Sequence, residues 1–78
     1  MKNEKKEEKK FKIVAKIIEQ FGGGSIEQMS VNSDLNQLGI GNLDITELLM
    51  FIEEEFAVDL PPEAYQQIRT IGDILEYV

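Results

Sequence analysis

Residues 38–56 run Leu-Gly-Ile-Gly-Asn-Leu-Asp-Ile-Thr-Glu-Leu-Leu-Met-Phe-Ile-Glu-Glu-Glu-Phe, and no other stretch restricts the fold as tightly. Ile45, Leu48, Leu49, Ile52 and Phe56 recur at i, i+3, i+4, i+7 and i+11, so a 3.6-residue period gathers them on one helical face. Asp44, Glu47, Glu54 and Glu55 are left mostly outward on this amphipathic, acidic helix. Asn42 sits where a glycine-bearing turn becomes helix. Its short amide suits an N-cap that accepts from the free N–H groups of the first turn.

A helix of this kind needs a core to lie on, and the rest of the chain supplies two more apolar stripes. Phe11, Val14, Ile17, Ile18 and Phe21 predict a first helix, closed by Gly22-Gly23-Gly24 because glycine accepts a left-handed C-terminal cap. No strand precedes these glycines and no Gly-Lys-Ser/Thr follows, which argues against a phosphate-binding loop. Ile71, Ile74, Leu75 and Val78 form the last stripe, with Thr70 as N-cap and Asp73 in the reciprocal position of a capping box. Ahead of it, Pro61-Pro62 stops the central helix and leads into a short helix over residues 63–68. Residues 25–41 form a long connection whose Ile26, Met29, Val31, Leu35, Leu38 and Ile40 let it pack, with a short turn capped by Ser25. The expected fold is all-α, with three principal helices and one short one.

With 78 residues there is room for one small domain and no second. Cysteine and histidine are both absent, which removes disulfides, thiol and imidazole catalysis, and the usual zinc ligands. The chain is therefore not expected to be an enzyme. Asp34, Asn36 and Gly39 match the first, third and sixth positions of a calcium-binding EF-hand loop. Leu38 and Ile45, at the fifth and twelfth positions, offer no side-chain oxygen, so no metal site is assigned.

Charge is divided unevenly along the chain. Residues 1–16 hold seven lysines and three glutamates, a net +4, whereas residues 17–78 hold Arg69 against twelve acids, a net −11. Residues 1–10 contain no apolar side chain after Met1 and are expected to form a charged, flexible tail, leaving residues 11–78 as the helical domain. The acidic body disfavours nucleic acid and anionic membrane as partners and favours a basic protein surface. The charged start and the lack of any apolar run near the length of a membrane span predict neither leader nor anchor, hence a cytoplasmic protein, and the three helical stripes predict a helical monomer.

Residues 11–78 resemble the type II acyl carrier proteins. The likeness rests on the Asp34-Leu35 to Leu38-Gly39 turn, the Leu43-Asp44 step, the acidic helix ending Glu53-Glu54-Glu55-Phe56, the Asp59-Leu60-Pro61 link and the closing Thr-Ile-Gly-Asp-Ile-Leu-Glu-Tyr. The resemblance implies a four-helix bundle whose second helix is read by basic faces of partner enzymes through Asp44, Glu47, Glu53, Glu54 and Glu55. In that family the Leu-Asp step is preceded by Asp-Ser, and the serine carries 4′-phosphopantetheine. Here those positions are Gly41 and Asn42, which offer neither the carboxylate nor the hydroxyl. The resemblance therefore implies a domain that cannot carry pantetheine as written and acts by docking to a carrier-using enzyme or another protein. Two other readings stay open: a true carrier altered at its attachment site, and an interaction module unrelated to lipid.

Overall fold

The computed structural model describes residues 2–78, with side chains described from residue 8 onward. It contains four α-helices: α1 (Lys2–Gln20), α2 (Asn42–Phe56), α3 (Ala64–Gln67) and α4 (Ile71–Leu75), with one turn of 3-10 helix at Ile26–Gln28. Among the described residues there is no strand beyond an isolated bridge between Asp34 and Thr70. α1 begins nine residues ahead of Phe11, so its backbone runs through most of the charged segment. The mobility expected of residues 1–10 lies outside the described residues for Met1 and for the side chains up to residue 7. α4 is only five residues long, so the bundle has two long and two short helices.

The core is built from the stripes of the sequence. Val14, Ala15 and Ile18 of α1, Ile45, Leu48, Leu49 and Ile52 of α2, and Ile71 and Ile74 of α4 are buried together with Leu35 and Ile40 from the long loop. Phe11, Ile17, Phe21 and Phe56 close the edge of this cluster. Each large aliphatic side chain so removed from water contributes about 1.5–3 kcal/mol before entropy is counted. Such a small domain needs nearly all of them.

The loop between α1 and α2 is fixed along its length. Leu35 N–H donates to the Arg69 carbonyl (2.8 Å), Ile71 N–H to Ser33 (3.2 Å) and Gly72 N–H to Val31 (2.8 Å), which ties the loop to the start of α4. A side chain at position 72 would bring its Cβ to 2.9 Å from the Val31 carbonyl oxygen, so glycine is required for that approach. Thr70 and Asp73 form the reciprocal capping box expected of them. Asp73 also accepts from Arg69 N–H, and that bond first, with those from Thr70, holds its carboxyl below the usual range against the opposing effect of burial.

Candidate functional site at the two ends of the second helix

α2 starts from a loop shaped by Asp34. Its Oδ1 accepts from the backbone N–H groups of Asn36 (2.8 Å) and Gln37 (3.2 Å), so this carboxylate closes a local turn. Gly39 then takes φ +94°, a left-handed backbone that glycine adopts without penalty, and the chain turns Ile40 down into the core. Asn36 Nδ2 donates to the Ile40 carbonyl at 2.9 Å and reaches Asn42 Oδ1 at 3.4 Å.

The cap itself differs from the sequence expectation. Gly41, with extended backbone (φ −74°, ψ 166°), is the N-cap, and its carbonyl accepts from Ile45 N–H at 2.9 Å. Asn42 is the first helical residue. Its amide turns towards Asn36 instead of accepting from first-turn N–H groups, and glycine supplies no side chain to do so. Gly41 and Asn42 are both exposed, and beyond its two chain neighbours no described residue lies within 4 Å of where a Cβ at position 41 would stand. Beside them a cleft of about 290 Å³ lies between the start of α2 and the segment from α3 to Arg69, with Asn36, Asn42, Ile45, Tyr65 and Arg69 in its walls.

The five acids of α2 occupy two environments. Asp44, Glu47, Glu54 and Glu55 are exposed, with Asp44 in the first turn, where the positive end of the helix dipole favours it. Glu53 is half-buried, and both of its oxygens are engaged within the chain. Oε1 accepts from the Tyr65 hydroxyl at 2.6 Å and Oε2 from Leu60 N–H at 2.7 Å. The Tyr65 bond first, and the Leu60 bond with it, hold the Glu53 carboxyl below its ordinary range. Burial first, then the bond to Glu53 and its negative charge, push the Tyr65 phenol up to about 12. This carboxylate therefore ties the end of α2 to the entry of α3.

The helical period leaves Glu53 out of the outward set but names no partner for it. Its spacing of four from Leu49 is the one signal, since it sets Glu53 on the flank of the buried stripe. The outward apolar residues are also unexpected: Leu43, Met50 and Phe51 are 87%, 54% and 54% exposed. Phe51 meets Phe21 of the α1 end edge-on, with ring centroids 5.5 Å apart at 75°. No described helix is long and apolar enough to cross a membrane.

Compared with known proteins, residues 12–78 match the family described as "Phosphopantetheine attachment site". An acyl carrier protein of Clostridium acetobutylicum is 36% identical over 62 residues, covering 80% of this chain and 80% of its own length. The crystal structure of an acyl carrier protein from Thermotoga maritima is similar with a TM-score of 0.68 at 28% identity, covering 86% of this chain and 82% of that one.

Proposed function

The chain belongs to the acyl carrier protein family, whose members are carriers and not enzymes, and on that premise we propose that this member does not carry 4′-phosphopantetheine as its sequence stands. It acts instead, as a cytoplasmic monomer, by docking the exposed acids of α2 on a basic partner, a carrier-using enzyme or a protein that serves one. The observation behind this reading is the side chain at the start of α2. Asn42 is exposed beside the Leu43-Asp44 step, where the family places its serine, so access is not what is missing. The chemistry is missing. Attachment needs a hydroxyl to attack the pyrophosphate of coenzyme A, and a carboxamide is no adequate nucleophile.

No nearby hydroxyl takes over. Ser25, Ser30 and Ser33 are remote in sequence from the start of α2 and accept from backbone N–H groups of their own turns, and Thr46 lies a full turn into the helix. Gly41 likewise offers no carboxylate beside position 42. The residues present therefore do not fit the family's prosthetic group as a covalent attachment site, and no step through it is derived.

Among the acids, Asp44, Glu47, Glu54 and Glu55 are free to meet a partner's cations, while Glu53 serves the docking face by holding its far end in place. The test is intact-protein mass spectrometry after incubation with coenzyme A and a phosphopantetheinyl transferase of broad carrier specificity. The unaltered chain is expected to show no mass gain, Asn42→Ser a partial gain, and Gly41→Asp with Asn42→Ser a larger one. Modification of the unaltered chain would overturn the reading.

A further inference from the structure

A cleft of about 270 Å³ lies between α1, the loop at Val31 and α4, and α2 contributes nothing to its walls, which are Lys10, Val31, Gly72, Leu75 and Glu76. Both of its sides are pinned. Gly72 N–H donates to the Val31 carbonyl at 2.8 Å and holds the loop against α4, while Lys10 Nζ donates to the Val78 carbonyl at 2.7 Å and holds α1 against residue 78. Val31 is nevertheless 49% exposed, so a fixed apolar side chain faces solvent in the wall of a hollow already formed.

The same stretch of α1 is basic. Residues 8–16 hold four lysines against one glutamate, and Lys9, Lys12 and Lys16 are exposed at i, i+3 and i+7. The helical period places Ile13, 38% exposed, between the edge formed by Lys9 and Lys16 and the Lys10 wall of the cleft, and leaves Lys12 on the far side of that edge. Solvated lysines and isolated apolar residues are ordinary features of any surface. Here they are continuous: two cations two turns apart, an aliphatic side chain between them, and an apolar seat beside it.

We propose that this surface is an interaction site separate from α2, and that the partner it fits is an acidic amphipathic helix of another protein. Two carboxylates of that helix, two turns apart, meet Lys9 and Lys16, and one aliphatic side chain between them passes over Ile13 into the seat against Val31 and Leu75. Glu76, exposed on the α4 wall, sets the orientation, because it repels a partner carboxylate from that side and keeps it over α1. The pinned walls matter for affinity, since a seat that exists before binding costs little to order.

Charge and shape together choose the occupant. Residues 17–78 carry a net −11, which repels the extended charge of a nucleic acid or an anionic bilayer, whereas a single helix presents its acids along one narrow seam. No aromatic ring lines the cleft for a base to stack on. A second copy also sets acids beside apolar residues on α2, but two chains of net charge −7 repel each other, and on the docking reading above those acids are taken by a basic partner. Sites of opposite sign on different helices let one chain hold an acidic and a basic partner together.

The probe is a labelled synthetic helical peptide with glutamates two turns apart flanking one leucine, titrated by fluorescence anisotropy and by NMR of the isotopically labelled chain. Shifts are expected at Lys9, Ile13, Lys16, Val31 and Leu75 and not at residues 44–55, with binding weakened by salt. Lys9→Glu should weaken binding about tenfold, and Lys12→Glu, the same change of charge beyond the edge, by about twofold or less. Replacing the peptide leucine by alanine should cost about tenfold with the unaltered chain and nothing with Val31→Asp, which puts a charge in the seat. Circular dichroism of each variant checks that the fold persists. Equal losses from Lys9→Glu and Lys12→Glu, indifference to the leucine, or no binding would overturn the proposal. Tighter binding of phosphatidylglycerol vesicles or polyuridylate than of the peptide would overturn it too, as would self-association in sedimentation that Lys9→Glu abolishes. Glu47→Lys and Glu54→Lys should leave peptide binding no weaker, so failure here is read separately from failure of docking through α2.

Discussion

At its C-terminal end α2 is held by side chains: Glu53 binds Leu60 N–H and the Tyr65 hydroxyl, and the helix closes on Ala57 in a left-handed conformation (φ 53°). At its N-terminal end it starts on a glycine with no side-chain cap, followed by an exposed asparagine whose one side-chain contact is a 3.4 Å reach from Asn36. One helix thus has a fastened end and a bare end. The fastened end fixes the geometry of the acidic face, and the bare end leaves the residues at 41 and 42 with little structural duty. Change at those two positions can alter chemistry without altering the fold. Change at Glu53 or Tyr65 removes a contact that positions the end of the helix.

The largest effect should come from undoing the fastened end. Tyr65→Phe removes a hydrogen bond to a charged acceptor and is expected to cost about 1–2 kcal/mol, the low side of such bonds because the pair is partly open to water. Denaturant unfolding monitored by circular dichroism measures it. Backbone amides of residues 60–68 should exchange faster in the variant while those of α1 keep their protection. Loss of protection throughout the chain would mean that the contact holds the whole fold and not one end of one helix.

The same contact sets a pH window. The folded carboxyl pKa of Glu53 lies below its ordinary value, so the stability it contributes is present above that ordinary value and fades as pH falls through the depressed one. Asp73, lowered in the same direction, fades alongside it. Tyr65 is the opposite case: raised to about 12, it contributes stability that is whole below about pH 10 and lost as pH climbs towards 12. Thermal melts across this range should show a plateau with a decline on either side, and Tyr65→Phe should remove the alkaline decline. An alkaline decline that survives in the variant would place its origin elsewhere.

How far these ends were legible from the sequence follows from what each depends on. Helices, core and capping box are written in local periodicity and cap chemistry, and Ile45, Leu48, Leu49, Ile52, Thr70 and Asp73 all stand where spacing puts them. Cap chemistry favours Asn42 because asparagine is the better capping type, whereas the structure puts the extended backbone of the cap one residue earlier, at Gly41. The pairing of Glu53 with Tyr65 spans twelve residues and a left-handed cap, so no local pattern announces it. Phe51 was hidden differently. Periodicity says which residues face inward, and says nothing of what the outward ones meet on another helix.

A smaller effect is expected at the left-handed cap itself. Ala57 at φ 53° carries a Cβ crowded against the following peptide, a cost of roughly 1 kcal/mol that glycine avoids. Ala57→Gly should therefore raise stability by up to about that amount, less what the unfolded chain gains in freedom. A destabilised Ala57→Gly would show that the αL cap is not strained, and the fastened end would then rest on Glu53 alone.

The smallest effects belong to the bare end, and there the sign is the test. Asparagine and serine have similar helix propensities, and Asn42 makes one long contact, so Asn42→Ser should move stability by no more than a few tenths of a kcal/mol. Gly41→Asp is different in kind. The backbone at 41 is already extended as an N-cap requires, space around it is open, and aspartate can accept from a first-turn N–H while its charge meets the positive end of the helix dipole. It should stabilise the chain by a few tenths to about 1 kcal/mol, an increment that screening by salt reduces. If urea unfolding shows Gly41→Asp to be neutral at low salt, the first turn is satisfied by water and the bare end tolerates any small residue. If either substitution destabilises by as much as Tyr65→Phe, the two ends of α2 are equally fastened, and the freedom to change chemistry at position 42 without disturbing the acidic face is lost.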